Sequence, residues 1–105
     1  MRFVETPIFT REVRTEFDDE DYRALQLALL LRPEQGALIP GTGGLRKIRW
    51  GGKSHGKSGG YRIIYYWDKP TETLYMLYAY PKNKQVDLTA SQKKVLRQLV
   101  QEEFG

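Results

Sequence analysis

The stretch that decides the fold is GTGGLRKIRWGGKSHGKSGGYRIIYYW, residues 41–67. It predicts a strand over Leu45–Trp50, a glycine-rich basic loop over residues 51–60, and a second strand over Tyr61–Trp67, rich in β-branched and aromatic residues. Every charged side chain in this stretch is basic: Arg46, Lys47, Arg49, Lys53, Lys57 and Arg62. We therefore expect the function to reside here and the partner to be anionic.

The segments around this stretch complete an α+β pattern. A strand is predicted at Arg2–Glu5, and a third strong strand at Thr73–Tyr80 should form an antiparallel hairpin with Tyr61–Trp67 because the turn between them is short. Helices are predicted after Thr6 and after Asp18 or Asp19, which can act as N-caps, and a capping box over residues 89–92 begins a C-terminal helix. The order β-α-α-β-β-β-α predicts a small antiparallel sheet with two N-terminal helices and one C-terminal helix.

Length and charge indicate one small domain with a polyanion partner. The chain of 105 residues fits a single domain, 1–105, and has no cysteine that could form a disulfide or a thiolate metal site. Its net charge of +4 divides into −3 for residues 1–40, +6 for residues 41–69 and +1 for residues 70–105. Without a signal peptide or a long apolar run, we expect a cytoplasmic protein without membrane attachment.

Several kinds of site are excluded by the residues present. The only histidine, His55, has no carboxylate nearby in the loop, so we expect neither a metal nor a catalytic role for it. The segment GTGGLRK lacks the spacing of a phosphate-binding P-loop and enters a strand. The acidic residues gather at helix starts, where capping or solvation is their usual role.

The basic side chains are expected to come together at one end of the sheet. Period 2 in a strand sends Arg46 to one face, and Lys47 and Arg49 to the other. In the predicted hairpin the start of Tyr61–Trp67 lies opposite the end of Thr73–Tyr80, which brings Arg62 close to the turn that carries Lys82 and Lys84.

Three blocks carry a resemblance to a known family: GTGGLRKIRW, GGYRIIYYW after the basic loop, and YAYPKNKQVDLTASQKKVLRQLV. Together they resemble the RelE/ParE superfamily of bacterial toxins, and within it most closely the HigB-type branch. The resemblance covers nearly the whole chain. It implies the compact RelE-like fold and an endoribonuclease, an mRNA interferase, that cuts messages in the ribosomal A site without a cofactor. It also implies a cognate helix-turn-helix antitoxin.

The resemblance also implies the site residues. The family's central-strand arginine matches Arg62, its basic loop matches Lys53 and Lys57, and the basic position after the last strand matches Lys84. RNA contacts are expected from Arg46, Lys47, Arg49, Lys82 and Tyr66. Some relatives carry a tyrosine or histidine near the start of the C-terminal helix, where this chain reads VDLT, residues 86–89, so the proton-transfer partner is not identified.

Cleavage without a metal needs a base for the 2′-OH, cations for the phosphorane and an acid for the leaving oxygen. A lysine crowded by cations has a lowered pKa and can act as the base. We therefore expect Lys53 or Lys57 as base, Arg62 stabilising the transition state, and Lys84 as phosphate clamp or acid. The loop should become ordered only on RNA. Two alternatives remain: a ParE-like toxin that poisons DNA gyrase, and a catalytically weak RNA-binding domain.

Overall fold

The computed structural model describes residues 1–51, 60–85 and 87–103. The helices and strands follow one another as β1 (Arg2–Glu5), α1 (Pro7–Glu16), α2 (Asp19–Leu31), β2 (Ala37–Leu38), β3 (Leu45–Trp50), β4 (Tyr61–Asp68), β5 (Thr73–Pro81) and α3 (Ala90–Glu103). The predicted α+β class is confirmed. Within the described residues no helix is long and apolar enough to cross a membrane.

The helices begin where local caps predicted them. The hydroxyl of Thr6 accepts a hydrogen bond from the backbone N–H of Phe9 at 3.1 Å and starts α1. The carboxylate of Asp18 accepts from the N–H of Asp21 at 2.7 Å and starts α2. At α3 the capping box is reciprocal: the N–H of Gln92 donates to the Thr89 hydroxyl at 3.1 Å, and the N–H of Thr89 donates to the Gln92 side chain at 3.0 Å.

The sheet has five strands in the order β1-β5-β4-β3-β2. Strands β2 to β5 pair antiparallel, which was predicted for β3 to β5, but β1 pairs parallel with β5 and makes the sheet mixed. Two helices separate β1 from the rest of the sheet, so no tight turn fixes whether β1 runs parallel or antiparallel to its neighbour. Strand β2 was not predicted, because two residues carry no periodic pattern.

Side chains on the two faces of the sheet build two cores. The first core lies under α1 and α2 and includes Phe9, Leu25 and Ile63. The second lies under α3 and includes Ile64, Leu88 and Val100, together with Leu45, Leu77 and Tyr80. Residues of β3 and β4 alternate between these faces, so Lys47, Arg49 and Arg62 fall on the α3 face.

A β-bulge in β5 changes the face of the residues that follow it. Ile64 pairs with Tyr78 and Tyr65 pairs with Met76, which leaves Leu77 as an extra residue. Met76 belongs to the first core, whereas Tyr80 belongs to the second. The bulge therefore places the side chains of Tyr78 and Tyr80 on the α3 face and that of Ala79 on the other.

The segment between α2 and β2 is fastened to the central strand by one tyrosine. The hydroxyl of Tyr65, fully buried in β4, donates to the carbonyl of Pro33 at 2.8 Å and accepts from the N–H of Gly36 at 2.9 Å. A Cβ at Gly36 would lie 2.8 Å from the Tyr65 ring, so the close approach requires glycine there.

Candidate nucleic-acid and catalytic site

Three polar side chains form a row across the three central strands, near one end of the sheet. Arg62 in β4 is the direct neighbour of Arg49 in β3 and of Tyr80 in β5. Directly opposite residues of an antiparallel pair carry their side chains on the same face, with Cβ atoms about 5 Å apart. This cross-strand row, Arg49–Arg62–Tyr80, lies on the α3 face of the sheet.

The central member of the cross-strand row is unusual because it is a buried cation. Arg62 is only 5% exposed, whereas its neighbour Arg49 is exposed. Like charges directly opposite one another in a sheet are destabilising, and arginine is rarely buried in a core. Two guanidinium groups in register therefore favour a site that binds an anion.

An ion pair lies beside the cross-strand row. The Nζ of Lys47 donates to a carboxylate oxygen of Asp87 at 2.8 Å. This hydrogen bond and the charge of Lys47 hold the pKa of Asp87 below its usual value, and the charges of Lys93 and Arg62 lower it further. Asp87 is thus an anion in the field of three cations, and its side chain is 65% exposed.

The third member of the row carries a buried hydroxyl to which no described residue hydrogen-bonds. Tyr80 is 2% exposed, and among the residues that the structure describes its hydroxyl oxygen has no hydrogen-bond partner. Burial raises the pKa of Tyr80, and the negative charge of Asp87 raises it further, while the positive charge of Arg62 opposes both effects. Both charged groups are therefore close enough to act on this hydroxyl.

The basic turn after β5 lies beside the same end of β4 but borders a different space. The backbone N–H of Lys82 donates to the carbonyl of Gly60 at 2.7 Å, so the hairpin ends meet as the register predicted. Lys82 and Lys84 line an open cleft of about 500 Å³ together with Tyr61 and Glu16. Because Tyr61 belongs to the first core, this cleft lies toward α1, whereas Arg62 faces α3.

Two predicted RNA-binding residues lie away from the row. Arg46 is on the opposite face, where its guanidinium donates to the carbonyls of Glu34 and Gly36 at 2.9 and 2.8 Å and pairs with the Glu34 carboxylate at 3.5 Å. Its observed role is to hold the segment before β2. Tyr66 is four residues along β4 from Arg62, a separation of about 13 Å, and packs on the second core.

Lys53, Lys57 and His55 lie outside the described residues, as does most of the predicted loop over residues 51–60. Within the described residues no group of three or more histidine, cysteine or carboxylate side chains could hold a metal ion.

The sequence did not identify Tyr80 or Asp87 as site residues. A signal for Asp87 was present, because it is the only acidic residue between Thr73 and Gln101. No comparable signal existed for Tyr80, one of the six tyrosines between residues 61 and 80. Its position in the row depends on the β-bulge at Leu77.

The comparison with protein families agrees with this architecture. The family model described as "RelE toxin of RelE / RelB toxin-antitoxin system" matches residues 1–104, which is almost the entire chain. The match includes all three helices, all five strands and the cross-strand row. The chain therefore belongs to the RelE toxin family of toxin–antitoxin systems.

Proposed function

We propose that this toxin is a cytoplasmic, ribosome-dependent mRNA endonuclease of the HigB-like branch, which stops translation by cutting messages in the ribosomal A site. The observation that carries the proposal is the buried Arg62 at the centre of a cross-strand row, opposite a second arginine. Toxins of the RelE family typically inhibit translation and act as ribosome-dependent endoribonucleases, and the family implies an antitoxin partner. We propose that this partner is a helix-turn-helix protein.

The proposed reaction uses a nucleophile that RNA itself supplies. The 2′ oxygen attacks the adjacent phosphorus as its proton passes to a base, and the P–O2′ bond forms. The P–O5′ bond then breaks as the 5′ oxygen receives a proton from an acid. The products are a 2′,3′-cyclic phosphate and a 5′-OH. Negative charge accumulates on the phosphorane between these steps, and fixed cations stabilise it.

The chemistry and burial of Arg62 support the proposed role of transition-state stabiliser. A guanidinium presents several N–H donors in a fixed plane and stays charged at every working pH. Its burial excludes water, which strengthens its interaction with a phosphorane oxygen relative to an exposed cation. Arg49 and Lys47 on the same face supply further positive charge for the RNA backbone.

The proposed base, acid and phosphate contacts come from the segments on either side of the start of β4. We propose Lys53 or Lys57 as the base and Lys84 as the phosphate clamp or acid, with Lys82 beside it on the RNA. Because Lys82 and Lys84 line the cleft toward α1, the RNA would cross the end of the sheet and contact cations on both sides of β4.

The test measures cleavage by purified toxin on ribosomes programmed with a defined mRNA. The cut is mapped at its 5′ end, and the upstream fragment is assayed for a 2′,3′-cyclic phosphate. Arg62→Ala should lower the single-turnover rate about 10²- to 10³-fold, the usual loss when one preorganised transition-state donor is removed. Arg62→Lys, which keeps the charge but loses the planar fork, should recover part of this loss.

The matched control is Arg23→Ala, which removes the same charge from the exposed side of α2 on the other face of the sheet. It should cut at the rate of the unmodified toxin. Melting temperatures of all variants separate loss of chemistry from loss of fold. A fully active Arg62→Ala variant would refute the assignment. DNA damage in expressing cells without phased mRNA cuts would indicate a gyrase poison, and RNA binding without either effect would indicate a binding domain.

A further inference from the structure

The buried hydroxyl of Tyr80 is a polar group that the fold itself does not use. Leaving a buried hydroxyl without a hydrogen bond lowers stability, so nearly all such groups in proteins are paired. Among the described residues, however, the Tyr80 hydroxyl has no partner. The neighbouring tyrosine on the same strand is different, because the hydroxyl of Tyr78 accepts from the side chain of Gln92 at 3.2 Å.

The surroundings of the Tyr80 hydroxyl are those of an anion site. Tyr80 is directly opposite Arg62, its ring packs in the second core with Leu88, and the charges of Arg62 and Asp87 both reach it. Asp87 is the acidic group near these cations, and it is held there by Lys47. A phosphate bound by Arg62 would have Tyr80 as its direct neighbour on the next strand, and its charge would take the place of the Asp87 charge in the field of these cations.

Tyr80 is the last tyrosine before α3 in the chain. Residues 81–105 contain neither tyrosine nor histidine, so the segment around the start of α3 has no phenol or imidazole to offer. Tyr80, at the last position but one of β5, brings a phenol to the α3 face from the sheet instead.

We propose that the Tyr80 hydroxyl is a further catalytic group of this toxin, which donates a hydrogen bond to a non-bridging oxygen of the scissile phosphate held by Arg62. This inference rests on the proposed nuclease function. No proton is transferred: burial keeps the pKa of Tyr80 above that of a free phenol, so the hydroxyl stays protonated while RNA is cut. In this proposal the phosphate competes with the Asp87 carboxylate for the positive charge of Lys47 and Arg62.

Tyr80→Phe tests the proposal because it removes only the oxygen. In the programmed-ribosome assay the single-turnover rate should fall about 10- to 100-fold, the loss typical of a hydrogen bond to a charged acceptor. The melting temperature should be unchanged or higher, because the oxygen is buried without a partner in the free protein. Its pH–rate profile should keep the shape of the unmodified toxin's profile, since a neutral donor adds no ionisation.

Tyr78→Phe is the matched control, with the same atom removed two residues away on the same face. It should leave the cleavage rate within about 2-fold, because its hydroxyl is engaged by Gln92. Cleavage by Tyr80→Phe at the unmodified rate would overturn the inference. A lower melting temperature of Tyr80→Phe would also overturn it, since the hydroxyl would then have a structural partner. Loss of one limb of the pH–rate profile in Tyr80→Phe would overturn it as well, because it would show that Tyr80 transfers a proton.

Measuring Arg62→Ala in the same assay separates the two proposals. If Arg62→Ala is inactive and Tyr80→Phe is fully active, the nuclease proposal stands and the role of Tyr80 is rejected. If the unmodified toxin makes no cut on programmed ribosomes, the nuclease proposal fails and the inference fails with it.

Discussion

Replacing Tyr65 by phenylalanine should destabilise the fold strongly while leaving the chemistry of the site intact. The lost hydroxyl bridges two backbone groups, the N–H of Gly36 at 2.9 Å and the carbonyl of Pro33 at 2.8 Å. Each group left without a partner costs about 1–3 kcal/mol, so the free energy of unfolding should fall by about 2–4 kcal/mol. In a domain of this size that lowers the melting temperature by roughly 10–20 °C.

Urea unfolding followed by the fluorescence of Trp50 and Trp67 measures this change directly. The m-value should be constant, because no large surface is newly exposed in the native state. Cleavage well below the melting temperature should stay within about 2-fold of the unmodified toxin, since Tyr65 faces the first core and not the cross-strand row. Tyr80→Phe removes the same oxygen atom from the neighbouring strand. Tyr65→Phe should lose stability and keep its cleavage rate, whereas Tyr80→Phe should keep its stability and lose cleavage rate.

A loss of less than about 0.5 kcal/mol for Tyr65→Phe would refute the reasoning, since it would mean that water or a shifted backbone satisfies the two groups at no cost. It would also weaken the inference on Tyr80. The test of that inference uses the melting temperature to tell a tyrosine hydroxyl with hydrogen-bond partners from one without them.

Two further substitutions test the segment that joins β5 to α3. Asp87→Asn should bind a non-cleavable RNA several-fold more tightly at low salt, because the substitution removes the anion beside Lys47 and Arg62. The RNA carries a 2′-deoxy nucleotide at the scissile position, and its affinity is measured by titration. Weaker binding would show that Asp87 contributes to RNA binding instead. Thr89→Ala should lower the free energy of unfolding by about 1 kcal/mol in urea titrations, because the capping box of α3 loses an acceptor. The exposed Ser91→Ala is its control, and equal stabilities of the two variants would contradict the capping role.

The helices were predictable because their signals are local. Thr6, Asp18 and Thr89 each lie within three residues of the N–H group that they cap, so the sequence alone displays both partners. The direction of β1 was not predictable, because its parallel partner β5 lies about seventy residues further on and is chosen by the packing of α1 and α2 against the sheet.

The division of the basic residues between the faces was only partly predictable. Alternation within β3 correctly separated Arg46 from Lys47 and Arg49, since no bulge interrupts that strand. The hairpin register correctly brought the Lys82 turn to the start of β4. It could not indicate that Lys82 and Lys84 border a cleft toward α1, because a turn has no alternation from which to derive a face.

The position of Tyr80 shows why alternation failed in β5. Counted by period 2 from Met76, which lies in the first core, Tyr78 and Tyr80 would both face α1 and α2. The extra residue Leu77 reverses this parity, and both tyrosines face α3. A bulge is set by how two strands pair and not by the residues of one strand, so the sequence of β5 alone carries no sign of it. If Leu77 paired regularly with Ile64 instead, Ala79 would lie opposite Arg62, and the proposed phosphate site would consist of cations alone.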